Sequence, residues 1–465
     1  MTCYDLAYAV GLAAAAPYWL IRPKARRKVL GALSERMGRE GVEVQGSGVR
    51  ISHGAPVLMI HAVSVGELNA TPQLIRTLSE ARPDLRFVVS TTTSTGTNRA
   101  RELYGGNDRV ALIRFPLDFS SAVCRVLDQY RPSAVALMEL EVWPNFVAEC
   151  QRRHIPVLII NGRLTTSSFR GYRMLRLFTG GMFRALARIG AQDATYAQRF
   201  IAVGARPECV SVTGTMKFDT AQVDQRVEGV DELAKAIGLA PGSEPIWVCG
   251  STGPGEEPIV LEAHRAVRNK HPTLQLVIVP RKPERFDEVA RQIQAAGSRM
   301  VRRSRPGEMT AGAADVPPVI LGDTMGELRK FYALADVVFV GRSLVDLGPR
   351  QHGSDMIEPA ALGKAVVVGP FTHNFSEAMS QFLAADGVRV VCDVSALAAT
   401  IDRLLADREE RAALGERARE AVRRGQGATA RHAQMILQEL DQAVEREHLD
   451  AGFRVQGSGG AGSAA

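Results

Sequence analysis

Short apolar runs alternate with helical patterns along most of the chain. Runs of Val, Ile, Leu and Ala that predict buried strands lie at residues 57–61, 86–90, 134–138 and 156–160. Helical patterns lie between them, for example at 70–81 and 122–129. Because parallel strands need crossover helices that cover both faces of the sheet, this alternation predicts a parallel sheet between two layers of helices.

The same alternation starts again in the second half of the chain. Residues 219–244 are polar and helical, and apolar runs then return at 246–249, 274–279, 319–321, 337–340, 365–368 and 388–392. Three helical patterns end the fold, at 395–406, 409–424 and 428–447. The pattern predicts the α/β class, with two doubly wound Rossmann-like domains and a ligand at the carboxyl ends of the strands, in a cleft between the sheets.

The domain boundaries follow from these changes of pattern. We predict an anchor and basic segment at 1–40, a first Rossmann-like domain at 41–220, a linker at 221–244, a second Rossmann-like domain at 245–450 and a disordered tail at 451–465.

The beginning of the chain has the polarity of a membrane anchor. Residues 6–21 are mostly apolar, and a basic cluster follows at 22–28. A secretory signal peptide carries its charge before the apolar run, so this order predicts an N-terminal membrane-anchor helix with the rest of the chain in the cytoplasm. The alternative is an amphipathic helix that packs on the protein itself.

The chain is basic, with a formal net charge of +7 and a pI of about 9.2. Nucleic acid, an anionic membrane or an anionic substrate would each suit this charge. Lys and Arg are spread along the chain without a nucleic-acid-binding motif, so we expect no nucleic acid partner. The chain also has no GxGxxG fingerprint after its first strand and no GxxxxGK[ST] motif, which argues against a dinucleotide dehydrogenase and a P-loop NTPase.

Three motifs of the first half could carry chemistry. In HAVSVGE (61–67), Glu67 follows the first strand, where a carboxylate can act as a general base on an alcohol. The alternative is that Ser64-x-x-Glu67 is a capping box at the start of a helix, and the spacing alone favours this alternative. STTTSTG (90–96) is either a sugar-binding strand end or an ordinary loop. In MELEVWPN (138–145), two carboxylates close a buried strand, which is costly unless they are paired or used. The candidates on this side are Ser64, Thr91, Arg99, Glu139 and Glu141.

Four motifs of the second half could bind an anionic ligand. GSTGPGEE (250–257) offers backbone amides to a phosphate or is a plain glycine-rich turn, and VPRKPERF (279–286) offers cations or is a solvated loop. In GDTMGEL (322–328), Thr324-x-x-Glu327 predicts a capping box, and the backbone of Met325 and Gly326 is the candidate contact. Glu358 precedes a proline, either to accept the hydroxyls of a ribose or at an ordinary helix start.

The order of these motifs, rather than any one of them, is informative. HAVSVGE, STTTSTG, FPLDFSSAV, MELEVWPN, NGRL, GTMKFD, GST, VPRKPERF, GDTMGEL, YALADVVFVG and EPAALGKAVVVGP resemble, in this order, the motifs of the 3-deoxy-D-manno-octulosonic acid (Kdo) transferases of lipopolysaccharide synthesis. The resemblance extends from the N-terminal segment to about Phe375. It implies an inverting glycosyltransferase of the two-domain GT-B fold.

The resemblance also implies partners and residue roles. The donor would be CMP-Kdo, and the acceptor would be the lipid A precursor at the cytoplasmic face of the inner membrane, with no metal and no cofactor. Glu67 would be the catalytic base. On the donor side, Arg281 and Lys282 would hold the CMP phosphate, Met325 and Gly326 the nucleotide, and Glu358 the ribose, with Lys217, Ser251 and Asp355 beside them.

One stretch departs from the family pattern, which usually reads close to GGSLVPxGGHNxLEPA. Here residues 341–358 form a longer loop, and Asp355 stands where an asparagine is expected. A carboxylate beside an anionic sugar needs a cationic partner such as Arg350 or His352. The alternatives are therefore a GT-B transferase that uses a different nucleotide sugar, or a non-catalytic membrane-tethered nucleotide-sugar-binding protein.

Overall fold

The computed structural model describes residues 2, 4–6, 8–11, 33–38, 55–223, 226–311, 316–348 and 351–457, with side chains up to Arg446. The chain divides into two units, residues 1–220 with 426–465 and residues 221–425. Each unit contains one sheet with helices on both faces, so the predicted α/β class is confirmed.

The first unit has a sheet of seven parallel strands in the order β3-β2-β1-β4-β5-β6-β7. The strands are β1 (Val57–His61), β2 (Arg86–Thr91), β3 (Val110–Arg114), β4 (Ala134–Met138), β5 (Val157–Gly162), β6 (Arg188–Ala191) and β7 (Val210–Val212). The helices are α1 (Leu33–Arg36), α2 (Val65–Ala81), α3 (Ser94–Tyr104), α4 (Ser120–Tyr130), α5 (Pro144–Arg152), α6 (Thr166–Met174), α7 (Arg176–Arg184) and α8 (Ala194–Val203).

Strand β1 shows why this sequence forms a central strand. Its side chains alternate between two cores, with Leu58 and Ile60 in one and Val57 and Met59 in the other. Both faces are buried, so the strand is apolar at each position from Val57 to Ile60 rather than at every second one. The strand order reverses between β1 and β4, and such a reversal leaves a crevice at the carboxyl ends where ligands bind.

The second unit has a sheet of eight strands in the order β11-β10-β12-β9-β8-β13-β14-β15, parallel except for the antiparallel pair β10–β11. The strands are β8 (Ile246–Thr252), β9 (Gln275–Pro280), β10 (Met300–Arg302), β11 (Arg305–Met309), β12 (Val319–Leu321), β13 (Val337–Val340), β14 (Ala365–Val368) and β15 (Val388–Val390). The helices are α9 (Val230–Ile237), α10 (Glu256–Arg268), α11 (Phe286–Ala295), α12 (Leu328–Leu334), α13 (Ile357–Ala361), α14 (Ser376–Ala384), α15 (Val394–Ala406) and α16 (Arg408–Gly425). Here the order reverses between β8 and β13.

The last helix, α17 (Ala428–Gly457), corrects the predicted second domain, 245–450. It packs on the first unit, where Ile436 and Leu440 join the core. The buried ring of His432 accepts the backbone N–H of Asn161 at 3.1 Å. The second unit therefore ends at Gly425. Residues 451–457 of the predicted tail continue the helix, and 458–465 lie outside the described residues.

The predicted linker, 221–244, is also corrected. It contains α9, which buries Leu233, Ala234 and Ile237, and the whole segment belongs to the second unit. The 3.6-residue spacing of these apolar positions gives the helix one apolar face, and that face contributes to a core rather than to a connector.

Most of the predicted anchor lies outside the described residues. Residues 4–6 and 8–11 are helical, and they bind the first unit through Asp5, which accepts the backbone N–H of Ser120 at 2.8 Å, and through the Tyr8 hydroxyl, which donates to Asp118 at 2.9 Å. Within the described part of the chain, no helix is long and apolar enough to cross a bilayer.

Candidate active site

Glu67 lies in the first turn of α2, beyond the carboxyl end of β1. The Ser64 hydroxyl accepts the backbone N–H of Glu67 at 3.2 Å, and the Glu67 carboxylate accepts the backbone N–H of Ser64 at 3.2 Å and of Val63 at 2.9 Å. The capping box that the spacing favours is therefore present.

The surroundings of Glu67 make this carboxylate more than a cap. Its residue is only 9% exposed. Burial raises the pKa of Glu67 to about 7, and the charge of Glu139 acts in the same direction, against hydrogen bonds from Ser64 and Val63 that stabilise the ionised form. A carboxylate with a pKa near neutrality is suited to general base catalysis, because it is ionised at working pH and still holds a proton well.

Two further carboxylates follow β4, across the reversal of strand order from β1. Glu139 has a left-handed backbone with φ 53°, and its N–H donates to the Ile160 carbonyl at 3.0 Å. Left-handed backbone costs a non-glycine residue roughly 1–2 kcal/mol, and such strain is concentrated at functional sites. Burial, with a contribution from the charge of Glu139, raises the pKa of Glu141.

His61, at the end of β1, was not among the predicted site residues. It is fully buried, its Nδ1 donates to the Ser90 carbonyl at 3.1 Å, and its ring stacks on Phe115 at 3.8 Å between centroids. Burial lowers the pKa of His61 to about 3, so the ring is neutral and Nε2 is an acceptor. Nε2 lies 4.0 Å from the Glu141 carboxylate. In the sequence, the feature that could have indicated His61 was its position as a histidine at the end of a buried apolar strand.

Two arginines beside this cluster were also missed. Arg36, in α1, donates to the Phe115 carbonyl at 3.3 Å, and its charge contributes to the low pKa of His61. Arg114, at the end of β3, donates to the Thr92 carbonyl at 3.1 Å and pairs with Glu35 at 3.3 Å. Because both residues are distant in sequence from β1 and β4, the spacing of the motifs there did not indicate them.

The other predicted residues of the first unit have different positions. Thr91 is buried, and its hydroxyl lies 2.8 Å from that of Thr97, so it forms an internal hydrogen bond. Arg99 is half-buried and donates to Asn69 at 2.8 Å. Lys217, predicted on the donor side, lies half-buried in a turn of the first unit after β7.

In the second unit, Glu256 binds two loops together at the reversal of strand order. Its fully buried carboxylate accepts four backbone N–H groups, from Gly253 after β8 at 2.8 Å and from Arg342, Ser343 and Leu344 after β13 at 2.6, 2.9 and 2.9 Å. The backbone N–H of Gly253, a candidate phosphate contact, thus donates to Glu256 instead. The GSTGPGEE motif is therefore a structural turn.

Glu257, the next residue, positions the VPRKPERF loop. Its buried carboxylate accepts both terminal nitrogens of Arg285, at 2.6 and 3.0 Å, and the Thr252 hydroxyl at 2.8 Å. Arg285 is therefore a structural cation. The same loop leaves Arg281 and Lys282 exposed beyond β9, with the Arg281 N–H bonded to the Thr252 carbonyl at 3.1 Å.

Arg342 is a cation of this site that the prediction missed. Its backbone is left-handed, with φ 59°. Its half-buried side chain has a pKa lowered by burial and then by the charge of Arg281, so the two guanidinium groups face a common region. Ser251, at the end of β8, is buried and also left-handed, with φ 55°. The positive charge at the ends of β8, β9 and β13 suits an anion.

The carboxylates near α13 form a second cluster in this unit. Burial, with a contribution from the charge of Asp355, raises the pKa of Glu358 to about 7. The same two carboxylates contribute, after burial, to a raised pKa of the enclosed Tyr332 hydroxyl. Asp355 accepts the backbone N–H of Ile357 at 2.9 Å. The expected partner His352 instead lies 2.7 Å from Asp346, and Arg350 is outside the described residues.

The GDTMGEL motif is only partly as predicted. Glu327 is structural, because Arg303 donates to both of its carboxylate oxygens at 3.0 Å and the Thr324 hydroxyl donates at 2.6 Å. The predicted capping box is wrong, since α12 begins at Leu328 and its N-cap is Glu327 itself. Met325 is 64% exposed, and Gly326 has φ 83° with open space around it.

Among the side chains that the structure describes, no group of three or more His, Cys, Asp or Glu residues is placed to hold a metal ion. At the strand ends, the first unit presents carboxylates and a neutral imidazole, and the second unit presents arginine and lysine cations with buried carboxylates.

Comparisons with known proteins identify the family of the chain. Residues 32–220 match the family model of the 3-deoxy-D-manno-octulosonic-acid transferases (kdotransferases). The Kdo transferase of Haemophilus influenzae is 34% identical over 391 residues, which cover 83% of this chain and 88% of that protein. The Kdo transferase of Bordetella pertussis is 35% identical over 390 residues, which cover 81% and 86%.

A solved structure shows the fold alone. The glycosyltransferase of Rickettsia africae has a TM-score of 0.55 at 13% identity, covering 83% of this chain and 99% of that one. The sequence relatives are more specific, because they extend over both units at more than 30% identity. The chain therefore belongs to the Kdo transferase family of glycosyltransferases.

Proposed function

We propose that this chain is an inverting GT-B glycosyltransferase that moves Kdo from CMP-Kdo to a hydroxyl of the lipid A precursor, lipid IVA. The observation that carries the proposal is Glu67, a buried carboxylate with a pKa of about 7 at the reversal of strand order in the first unit. Membership of the Kdo transferase family supports the choice of sugar.

Glu67 acts as the general base. Its carboxylate takes the proton from the acceptor hydroxyl while that oxygen attacks the anomeric carbon of Kdo. The bond from this carbon to the phosphate oxygen breaks, and CMP leaves with the electron pair. The negative charge of Glu139 stabilises the protonated form of Glu67 that results.

The second unit binds the donor. CMP-Kdo carries two anionic groups, a phosphate and the sugar carboxylate, and Arg281, Lys282 and Arg342 supply positive charge at the strand ends. Glu358 accepts hydroxyls of the ribose. Ser251, Asp355 and the backbone of Met325 and Gly326 complete the donor side.

The reaction takes place at the cytoplasmic face of the inner membrane, where the chain is anchored by its N-terminal helix. The apolar run at 6–21 and the basic cluster at 22–28 support this location, since basic residues after an apolar segment stay in the cytoplasm.

The test is a transfer assay on the purified chain. CMP-Kdo is generated in situ and incubated with the enzyme and lipid IVA, and the lipid is followed by mass spectrometry. We expect the lipid to gain the mass of Kdo. A lipid of unchanged mass contradicts the proposal, and the same assay with other nucleotide sugars then identifies a transferase of different donor choice.

A further inference from the structure

Two histidines of the second unit are in direct contact, one in the segment that follows β13 and one in the segment that follows β14. The Nδ1 atoms of His352 and His373 lie 2.9 Å apart, and Nε2 of His352 lies 2.7 Å from a carboxylate oxygen of Asp346. His352 is only 5% exposed, whereas His373 and Asp346 are exposed. A buried imidazole thus has an exposed partner at each of its ring nitrogens. We call His352 and His373 the histidine pair.

The hydrogen bonds of the histidine pair determine where its protons lie. An ionised carboxylate only accepts, and the hydrogen bond from His352 lowers the pKa of Asp346, so Nε2 of His352 carries a proton. In its neutral form His352 then has a bare Nδ1, which accepts the Nδ1–H of His373. The two Nδ1 atoms therefore share a single proton.

Acid changes this arrangement in two steps. A first added proton gives one charged ring but still leaves a single proton between the two Nδ1 atoms, so the contact persists. A second added proton places a hydrogen on both Nδ1 atoms and a positive charge on both rings, and the contact becomes repulsive. Imidazoles change charge between about pH 5 and 8. Because the closed arrangement binds fewer protons than the open one, its stability falls as the pH falls.

The charged groups around the histidine pair compensate for one added charge. Among the described side chains, Asp346 is the carboxylate that forms an ion pair with it, through His352. Arg342 is on the same segment, where the carboxylate of Glu256 from α10 accepts backbone N–H groups. Glu377 lies in the first turn of α14, just after His373 in the chain. A single contacting carboxylate favours the first protonation, and the second meets the repulsion between the rings.

The histidine pair lies where the two segments pack backbone to backbone. The N–H of Gly353 donates to the Arg342 carbonyl at 2.6 Å. The N–H of Phe371 donates to the Ser343 carbonyl at 2.8 Å. The ring of Phe371 also packs on that of His352, at 5.1 Å between centroids. Contact between the two histidines therefore holds the segment after β13 against the segment after β14.

Arg342 depends on this packing for its orientation. Its left-handed backbone is fixed at both polar groups, because its N–H donates to Glu256 at 2.6 Å and its carbonyl accepts the N–H of Gly353. Strained backbone of this kind persists only where surrounding contacts over-determine it. When Gly353 moves away, Arg342 loses one of these contacts, and its guanidinium is no longer held in the region that it shares with Arg281.

We infer that His352 and His373 are positioning residues of the donor site. Their contact keeps Arg342 directed at the anionic donor near neutral pH, and protonation of both rings releases it in acid. The inference rests on the donor-binding role proposed for Arg342. Protonation adds positive charge, which by itself strengthens the binding of an anion, so weaker donor binding in acid points to the movement of Arg342.

Hydrogen–deuterium exchange of the full chain without ligand tests the contact itself, whether or not the chain transfers Kdo. Exchange is compared at about pH 7.5 and about pH 5, on either side of the range in which imidazoles titrate, after division by the intrinsic rate at each pH. We expect peptides that contain Gly353 or Phe371 to exchange about three- to tenfold faster in acid, the effect of one lost hydrogen bond of ordinary strength.

Two variants of His373 separate the shared proton from simple packing. In His373→Asn, the amide offers its N–H to a bare Nδ1 or its oxygen to a protonated one, so the peptides should stay protected at both pH values. In His373→Ala, they should exchange fast at both. His271→Asn removes a half-buried histidine that lies 3.0 Å from Asp402 in the same unit, and it should behave like the wild type. Equal protection of the wild type at the two pH values, or fast exchange of His373→Asn in acid, overturns the inference.

Calorimetric titration with CMP tests the link to the donor site. CMP and groups such as Glu358 titrate in every variant, so the proteins are compared with one another at the same pH. We expect His373→Ala to bind CMP several-fold more weakly than the wild type at neutral pH, and the wild type to approach it in acid, where His373→Asn binds more tightly than both. Equal affinities of the three proteins at both pH values overturn the positioning role and leave the proposed transfer untouched. Absence of CMP binding by all three contradicts the proposed function, and this inference with it.

Discussion

Buried carboxylates have opposite roles in the two units. In the second unit, the Glu256 carboxylate accepts four backbone N–H groups and Glu257 faces Arg285, so both are saturated and hold loops in place. In the first unit, Glu67 accepts two N–H groups and is destabilised as an anion by burial and by Glu139. Burial is common to both, and what separates a structural carboxylate from a reactive one is how fully its oxygens are satisfied.

The variant Glu67→Gln is the most direct test of the reactive role of Glu67. We expect transfer to fall by about 10²–10⁴-fold, the contribution of a general base, while the Ser64 hydroxyl still caps the helix and the amide oxygen keeps one of the two backbone N–H contacts. The turnover rate is measured with saturating donor and acceptor, and circular dichroism follows the fold.

A matched variant in the same unit is Asp193→Asn. Asp193 caps α8 by accepting the N–H of Tyr196 at 2.7 Å, so the exchange weakens a carboxylate cap without touching the strand ends of β1 and β4. It should cost stability of about 1 kcal/mol or less and leave transfer intact. If Glu67→Gln behaves in the same way, Glu67 is only a cap.

The pH dependence of the rate separates the two units further. The base must be ionised, so kcat/KM should fall about tenfold per pH unit below the Glu67 pKa of about 7. Glu358 has a similar pKa, and its ionisation would change donor binding instead. In Glu358→Gln, we expect the acid limb of kcat to remain and KM for the donor to lose its pH dependence. An acid limb of kcat that disappears in this variant assigns the titration to the second unit.

Glu256→Gln tests the structural carboxylate. An amide has one acceptor oxygen, and its NH₂ group faces backbone N–H groups, so buried donors lose their partner. We expect a loss of about 3 kcal/mol in the free energy of unfolding, measured by denaturant titration. The partly exposed Glu288→Gln, which breaks a pair with Arg285, should cost less than about 1 kcal/mol. Equal losses in the two variants would contradict the saturated role of Glu256.

The placement of site residues at the ends of strands could be predicted from sequence. The apolar runs located β1, β4, β8 and β9, and three of these strands, β1, β4 and β8, flank a reversal of strand order. Glu67, Glu139, Glu141, Ser251 and Arg281 lie at or just beyond the ends of the four strands. Periodicity finds such residues because a strand buried on both faces is apolar throughout and ends abruptly.

What could not be predicted depends on contacts distant in sequence. Strand β3 is not among the predicted strands, although its residues 110–113 are all apolar. The return of α17 to the first unit rests on partners more than 200 residues away, such as Asn161 for His432. Helix α2 begins before the predicted residue 70 despite Pro72, because the Thr71 hydroxyl donates to the Leu68 carbonyl that proline leaves without a donor.

Arg281→Ala measures what an exposed cation contributes to donor binding. A charge-assisted hydrogen bond to a phosphate is worth about 1.5–3 kcal/mol, so we expect KM for CMP-Kdo to rise about 10–100-fold with the fold unchanged. Lys270→Ala, which removes an exposed cation that pairs with Asp402 in the same unit, should leave KM unchanged. A rise in KM in both variants would point to general electrostatic attraction rather than to a specific contact.

The smallest expected effect comes from Arg342, where charge and backbone strain can be separated. Arg342→Gly removes the side chain and relieves the left-handed backbone, so we expect stability to rise by about 0.5–1 kcal/mol while KM for the donor rises several-fold. Arg342→Ala removes the charge but keeps the strain, and should raise KM without the gain in stability. Thermal denaturation and donor titration of the two variants decide the matter: an unchanged KM in both would show that Arg342 tolerates its strained backbone for a reason other than the donor.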